Sequence, residues 1–318
     1  MNDRGDMRLV FMGTPAYVLP VLEALLSPGF QVVGVYTQPD RPSGRGRVSE
    51  PPPVKSFALE HGIRVFQPAS LRRSEVQSEL ASLSPDVIVV AAYGKILPSE
   101  VLNIPPYGCV NVHPSLLPQY RGPSPVATAI LEGKAHTGTT LMLLDEGMDT
   151  GPILAARQVP IDSGTTTEIL TPVLLGVGAD LLSEVLPLLL KGKVTPQPQD
   201  DSRATVTRKL EKRDGEVNWG LPAEEIESRL RAFTPWPGLF TYWQGKMLKI
   251  LSAKPLAGGV PGEPGLVVPL DGRDVAVGVV TGRGIFGLKS LQMEGRRAVN
   301  SEEFVRGYGN FLGSALPS

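Results

Sequence analysis

Three residues stand out for their chemistry. Asn111 and His113 end the apolar run YGCVNVH, and strand alternation puts both side chains on one face. Asp149 lies in DEGMDTG, between Gly147 and Gly151, after the strand-like run TGTTLMLL. Of the three histidines, His61 closes a helical pattern and His136 sits in a polar turn, so both read as surface groups. Taken singly, a buried structural His and a turn-forming Asp are the plainer readings of the other two. Taken together, an amide, an imidazole and a carboxylate suit acyl-type transfer. The amide and imidazole can steady an oxyanion, and the carboxylate can accept or route a proton. The flanking glycines read as room for a ligand to approach backbone. These residues name neither a donor nor an acceptor.

Such groups need a frame. RLVFMG, QVVGVYT, IRVFQP, PDVIVVAAYG, YGCVNVH and TGTTLMLLD read as strands, and TPAYVLPVLEALL, VKSFALEHG and SEVQSELASL as helices. Thr14 is expected to cap the first helix, with Pro15 in its first turn. Apolar strands interleaved with helices imply a parallel sheet covered on both faces, with ligands at the carboxyl ends of the strands. His113 and Asp149 both fall at or just past such ends. A helical stretch over 166–191 gives way to the polar run KGKVTPQPQDDSRATVTRKL, which reads as a linker. MLKILSA, GLVVPL and VAVGVVT then suggest a small β-barrel or sandwich, with helices near 222–233 and 301–306.

Composition narrows the classes. A chain of 318 residues accommodates one large domain or two ordinary ones, and its net charge of −1 argues against a wholly nucleic-acid-binding surface. A single cysteine, Cys109, excludes an internal disulfide and reads as a buried apolar residue in a reducing cytoplasm. No signal peptide and no membrane-spanning run are expected, and no metal site. GRGIFG at 282–287 matches a dinucleotide fingerprint, but no helix follows it, so it reads as a hairpin turn. TPWPG reads as packing rather than a base-stacking platform.

FMGTPAYVLPVLEALL, YTQPDRPSGRGR, AAYGKILP, NVHPSLLPQYRGPSP and TGTTLMLLDEGMDTGPIL, taken together, resemble the methionyl-tRNA formyltransferase family. GEVNWGLPAEEIESRLRAFTPWPGLF and LQMEGRRAVNSEEFVRGYG resemble its C-terminal domain, so the likeness runs along nearly the whole chain. The N-x-H and Asp-loop motifs are shared with other formyl-tetrahydrofolate enzymes; the QPDRPSGRGR loop and the C-terminal motifs narrow the match.

The resemblance implies an α/β fold: a Rossmann-like, mostly parallel sheet flanked by helices, then a smaller OB-like β-barrel. It divides the chain into a catalytic domain at 1–191, a linker at 192–206 and a tRNA-binding domain at 207–318. It assigns catalysis to Asn111, His113 and Asp149, and folate contact to Ser115, Leu116, Leu117 and Pro118. Arg41, Arg45 and Arg47, in a loop too long for a routine connection, are expected on the tRNA acceptor stem. The implied reaction moves a formyl group from 10-formyltetrahydrofolate to the methionine α-amino group of initiator methionyl-tRNA, without a metal, in a cytoplasmic monomer away from any membrane. Gln119, Tyr120, Pro123 and Ser124 depart from the residues the family pattern leads one to expect. The alternatives are a formyltransferase for a sugar-nucleotide or purine-precursor amine, a deformylating hydrolase, and a non-catalytic RNA-binding protein.

Overall fold

The computed structural model describes residues 7–43, 48–258, 261–272 and 275–318. Contacts divide the chain into two compact units. The first comprises Met1–Pro125, His136–Pro160 and Thr171–Thr207; the second comprises Val126–Ala135, Ile161–Leu170 and Arg208–Ser318.

The first unit holds strands β1 (Met7–Gly13), β2 (Phe30–Tyr36), β3 (Arg41–Ser43), β4 (Val48–Glu50), β5 (Val65–Phe66), β6 (Val87–Ala91), β7 (Cys109–His113), β8 (His136–Leu143) and β9 (Ile153–Pro160). Seven of them form one sheet in the order β5-β2-β1-β6-β7-β8-β9, while β3 and β4 pair by themselves. β5, β2, β1, β6 and β7 are parallel. β8 and β9 extend the sheet in antiparallel pairing. Alternation explains why the parallel strands are apolar throughout. Leu9, Phe11, Val87 and Val89 enter one core cluster, and Val10, Met12, Ile88 and Val90 enter the other. The edge strand β9 instead alternates half-buried and exposed residues.

Helix Thr167–Leu190 covers one face of this sheet from Thr171 onward. Its Leu175, Leu182 and Leu186 join Val110 and Val112 of β7 and Leu141 of β8, each burial contributing about 1.5–3 kcal/mol. Gly178 allows the close approach, since a Cβ there would lie 2.3 Å from Val112 Cγ1. Contrary to the sequence reading, this 24-residue helix, with a mean hydropathy of 1.9, is long and apolar enough to cross a membrane. Its apolar character serves the sheet core, and half of that apolar window is buried there. The first helix differs too. Thr14 does not cap it; its hydroxyl donates to the Tyr93 carbonyl at 3.2 Å, and a 3-10 turn, Ala16–Val18, precedes the α-helix Leu19–Ala24.

The run at 192–206, expected as a linker, is fixed to the first unit. Gln197 pairs with Ile153 through two 2.8 Å backbone bonds, and Val206 bridges Arg121.

The second unit holds β10 (Leu239–Trp243), β11 (Lys246–Leu256), β12 (Val267–Gly272), β13 (Val275–Val280), β14 (Ile285–Met293) and β15 (Val299–Asn300). All pairs are antiparallel, in the order β10-β11-β14-β13-β12, with β15 on β14. This is the smaller β domain the sequence implied, with helices Ala223–Ala232 and Ser301–Gly307. GRGIFG spans the β13–β14 turn and the start of β14, since Val280 pairs with Ile285. Trp219 and Trp243 are buried, Trp243 edge-on to Phe311 at 5.2 Å. Trp236 of TPWPG is 52% exposed and so does not sit in the core of this unit.

Candidate active site

The register of β7 sets the site's first side. Asn111 and His113 share a face at the carboxyl end of the parallel block, where Asn111 pairs with Val90 of β6 and Met142 of β8. Asn111 is half-buried, and among the described residues its amide has no hydrogen-bond partner. His113 is buried, with Nε2 3.0 Å from the Tyr120 carbonyl oxygen. A carbonyl only accepts, so Nε2 carries the proton. Burial pulls the imidazole below its ordinary titration value; Asp149 and the Tyr120 carbonyl pull upward but less strongly. A neutral ring protonated at Nε2 leaves Nδ1 as a bare acceptor.

Asp149 faces that acceptor. Its Oδ2 lies 3.6 Å from His113 Nδ1 and accepts the Gly122 N–H at 2.7 Å. It does not arrive there as the sequence suggested. β8 is antiparallel, and Leu143, its last residue, pairs with Val110 near the start of β7. The loop after β8 therefore begins at the wrong end of the sheet, and only its own course returns Asp149 to His113. Asp145 braces this loop by accepting Gly147 N–H at 3.0 Å and Thr150 Oγ1–H at 2.7 Å. Asp149 takes a left-handed φ of 54°. The need for glycine at 151 also has a local cause: a Cβ there would sit 1.9 Å from the Leu143 carbonyl oxygen.

The segment Ser115–Pro118 is tied to β8. Thr140 Oγ1 donates to the Ser115 carbonyl at 2.7 Å and accepts the Leu117 N–H at 3.1 Å. Ser115 is fully buried, with its hydroxyl on the Gln119 carbonyl, and Leu117 is buried as well; Leu116 and Pro118 are half-buried. Arg41 begins β3, whose backbone pairs with β4 as a short ribbon; Arg45 and Arg47 lie outside the described residues. The three arginines are thus not brought to the trio by anything described. An open cavity of about 510 Å³, lined by Thr14, Tyr17, Gln38, Glu50, Pro52 and Tyr93, lies over the carboxyl ends of β1, β2 and β6. The chain's path reverses direction across the sheet between β1 and β6, the usual place for a ligand in such sheets. Among the described residues no group of three His, Cys, Asp or Glu could hold a metal ion.

Two residues of this site escaped the sequence reading. Gln199 donates from Nε2 to the Asp149 carbonyl at 2.9 Å and to the Gly151 carbonyl at 2.8 Å. Arg121, itself buried, donates from Nε and Nη2 to Gln199 Oε1 at 3.0 and 2.9 Å. No motif marks Gln199; it is one polar residue in a polar run.

Residues 7–186 match the family model described as formyl transferase, and 209–309 match the formyl transferase C-terminal domain. A methionyl-tRNA formyltransferase of Chloroflexus aggregans is 48% identical over 95% of this chain and 97% of its own length. One from Dehalococcoides mccartyi is 47% identical over 98% of this chain and 99% of its own. The chain belongs to the methionyl-tRNA formyltransferase family. Solved structures that share its fold are more distant. An N-formyltransferase of Helicobacter canadensis, in complex with folinic acid and dTDP-3-aminofucose, superposes with a TM-score of 0.65 at 17% identity, over 92% of this chain and 100% of that one. HypX of Aquifex aeolicus in complex with tetrahydrofolic acid gives 0.64 at 21% identity over 98% of this chain, which spans 48% of HypX. In this chain the trio comprises one amide with no partner among the described residues and two facing acceptors beside the carboxyl end of the parallel strands.

Proposed function

We propose that Asn111, His113 and Asp149 carry the transfer of a formyl group from 10-formyltetrahydrofolate to the methionine α-amino group of initiator methionyl-tRNA. The folate substrate supplies the electrophilic formyl carbon. The attacking amine must be neutral. Model α-amino groups titrate at about 7.7–8.0, and the adjacent ester lowers this further, so much of the amine is neutral near pH 7. As nitrogen bonds to the formyl carbon, negative charge gathers on the formyl oxygen, and Asn111, whose amide has no partner among the described residues, offers its N–H to it. Losing one such donor typically costs on the order of 3 kcal/mol in barrier.

The observation that carries this reading is the facing of His113 Nδ1, the ring nitrogen left without a proton, and the Asp149 carboxyl oxygen Oδ2 at 3.6 Å. Two acceptors so close invite a shared proton. The amine gives its proton to Nδ1, and Asp149 stabilises the imidazolium that results. The bond from the formyl carbon to folate nitrogen breaks as that nitrogen takes up a proton, which balances the transfer. His113 thereby acts as an acceptor, rather than the oxyanion donor its residue type suggested, because its one N–H is committed to Tyr120.

Folate contact at Ser115–Pro118 falls to Leu116 and Pro118, since Ser115 and Leu117 are buried. Arg41, Arg45 and Arg47 take the tRNA acceptor stem. A cytoplasmic monomer working away from the membrane completes the reading.

The test is an assay with purified protein, the formyl donor, methionyl initiator tRNA, and competing sugar-nucleotide and purine-precursor amines. Formylation of the tRNA alone is expected; preference for another amine refutes the acceptor. Arg45→Ala should lower kcat/KM for the tRNA and leave folate binding in place. An unchanged kcat/KM counts against the loop.

A further inference from the structure

We infer that Gln199 is a positioning residue for the Asp149 carboxylate, holding through two backbone carbonyls the left-handed turn that aims Oδ2 at His113. The inference rests on the trio's proposed role. Asp149 stands at φ 54°, a strained conformation for a residue other than glycine, which persists only where its surroundings hold it. Among the described residues its side chain is held by Gly122 N–H and the facing imidazole. Its backbone is gripped by Gln199, whose NH₂ group spans the carbonyls on either side of Thr150.

The amide cannot be reversed. The Arg121 guanidinium offers two N–H donors to the oxygen at 3.0 and 2.9 Å, which fixes the oxygen toward Arg121 and the nitrogen toward the loop. Arg121 is anchored in turn: its N–H reaches the Thr205 carbonyl at 2.9 Å and its carbonyl accepts Thr207 N–H at 2.7 Å. Gly122, the next residue, gives the N–H that Asp149 Oδ2 accepts. One short stretch, Arg121 and Gly122, therefore fixes the carboxylate directly and, through Gln199, the backbone that bears it. Glutamate at 199 would keep the bond to Arg121 but lose both N–H donors. Methionine would fill the space and lose everything polar.

The test compares Gln199→Met, Gln199→Glu, Asp149→Asn and the Gln199→Met/Asp149→Asn pair, each checked for native circular dichroism. Both single Gln199 variants are expected to lose kcat by roughly 10- to 100-fold, with the KM for each substrate changed by less than about threefold. In the Asp149→Asn background, Gln199→Met should change kcat little further, because the group it serves is already gone. In ¹³C–¹H spectra the His113 Cε1 signal of Gln199→Met should move toward its position in Asp149→Asn. A Gln199→Met penalty that multiplies fully with Asp149→Asn, or a His113 signal that stays put, means a merely structural role and overturns the inference. Normal turnover in Gln199→Met and Gln199→Glu beside an inactive Asp149→Asn overturns it while leaving the trio standing. A fully active Asp149→Asn overturns both.

Discussion

The two sides of the site are built on different length scales. His113 is held by its own neighbourhood: it ends a strand, and its ring nitrogen meets the carbonyl of Tyr120, seven residues on. Asp149 is held from afar, by Gly122 at a separation of 27 residues and by Gln199 at 50. The near side is a property of one strand and one turn. The far side exists only when the chain has closed long loops, and the closure entropy of those loops must be met by the contacts that fix it. The near side is accordingly the more robust, and the far side the more sensitive to changes that never touch the chemistry.

The largest effect should come from removing the near side's polar groups outright. Asn111→Ala and His113→Ala are each expected to lower turnover by roughly a hundredfold or more, with the fold intact by circular dichroism. Near-normal turnover in both would refute the catalytic assignment. A smaller effect should follow from disturbing only the far side. Gly151→Ala forces a Cβ against the Leu143 carbonyl, and is expected to cost about 1–3 kcal/mol in urea unfolding and to lower turnover more than it raises either KM. An unaltered urea midpoint would show that the loop yields more easily than its close contact implies.

The smallest effect sharpens the near side. Burial sets the native titration value of His113 below that of the unfolded chain, about 6.5, so the native state binds fewer protons than the unfolded one. Its contribution to stability is complete above that value and declines as the pH falls through it toward the native value. Unfolding free energy should therefore fall more between pH 7.5 and 5.5 in the wild type than in His113→Gln. The difference is about 1.4 kcal/mol for each unit separating the two values, down to the lower pH. Equal falls would mean that the imidazole is not buried neutral.

The same division explains what the sequence made legible. The parallel strands announced themselves as apolar runs because both their faces are buried, and β7 announced Asn111 and His113 as polar residues in such a run. Asp149 was recognisable by its glycine-flanked loop, but the reversed direction of β8 was not, since a strand's direction is settled by its partners and leaves no mark on its own residues. Gln199 and Arg121 were invisible as a pair: they are polar residues 78 apart, and neither segment's pattern points to the other. The run 192–206 has a linker's composition because its work is done by backbone bonds and a few side-chain ends, which need no apolar pattern. The membrane-like apolarity of Thr167–Leu190 was underestimated because its two prolines and two glycines broke up a run that the sheet nonetheless buries.

The claim at the centre is that His113 stands neutral, its proton on Nε2 and its Nδ1 open toward Asp149. Nitrogen-15 spectra of imidazole-labelled protein at pH 7, with His113 assigned by its loss in His113→Gln, test it most directly. A protonated Nε2 and a bare Nδ1 are predicted; a charged ring, or a proton resident on Nδ1, would contradict the account.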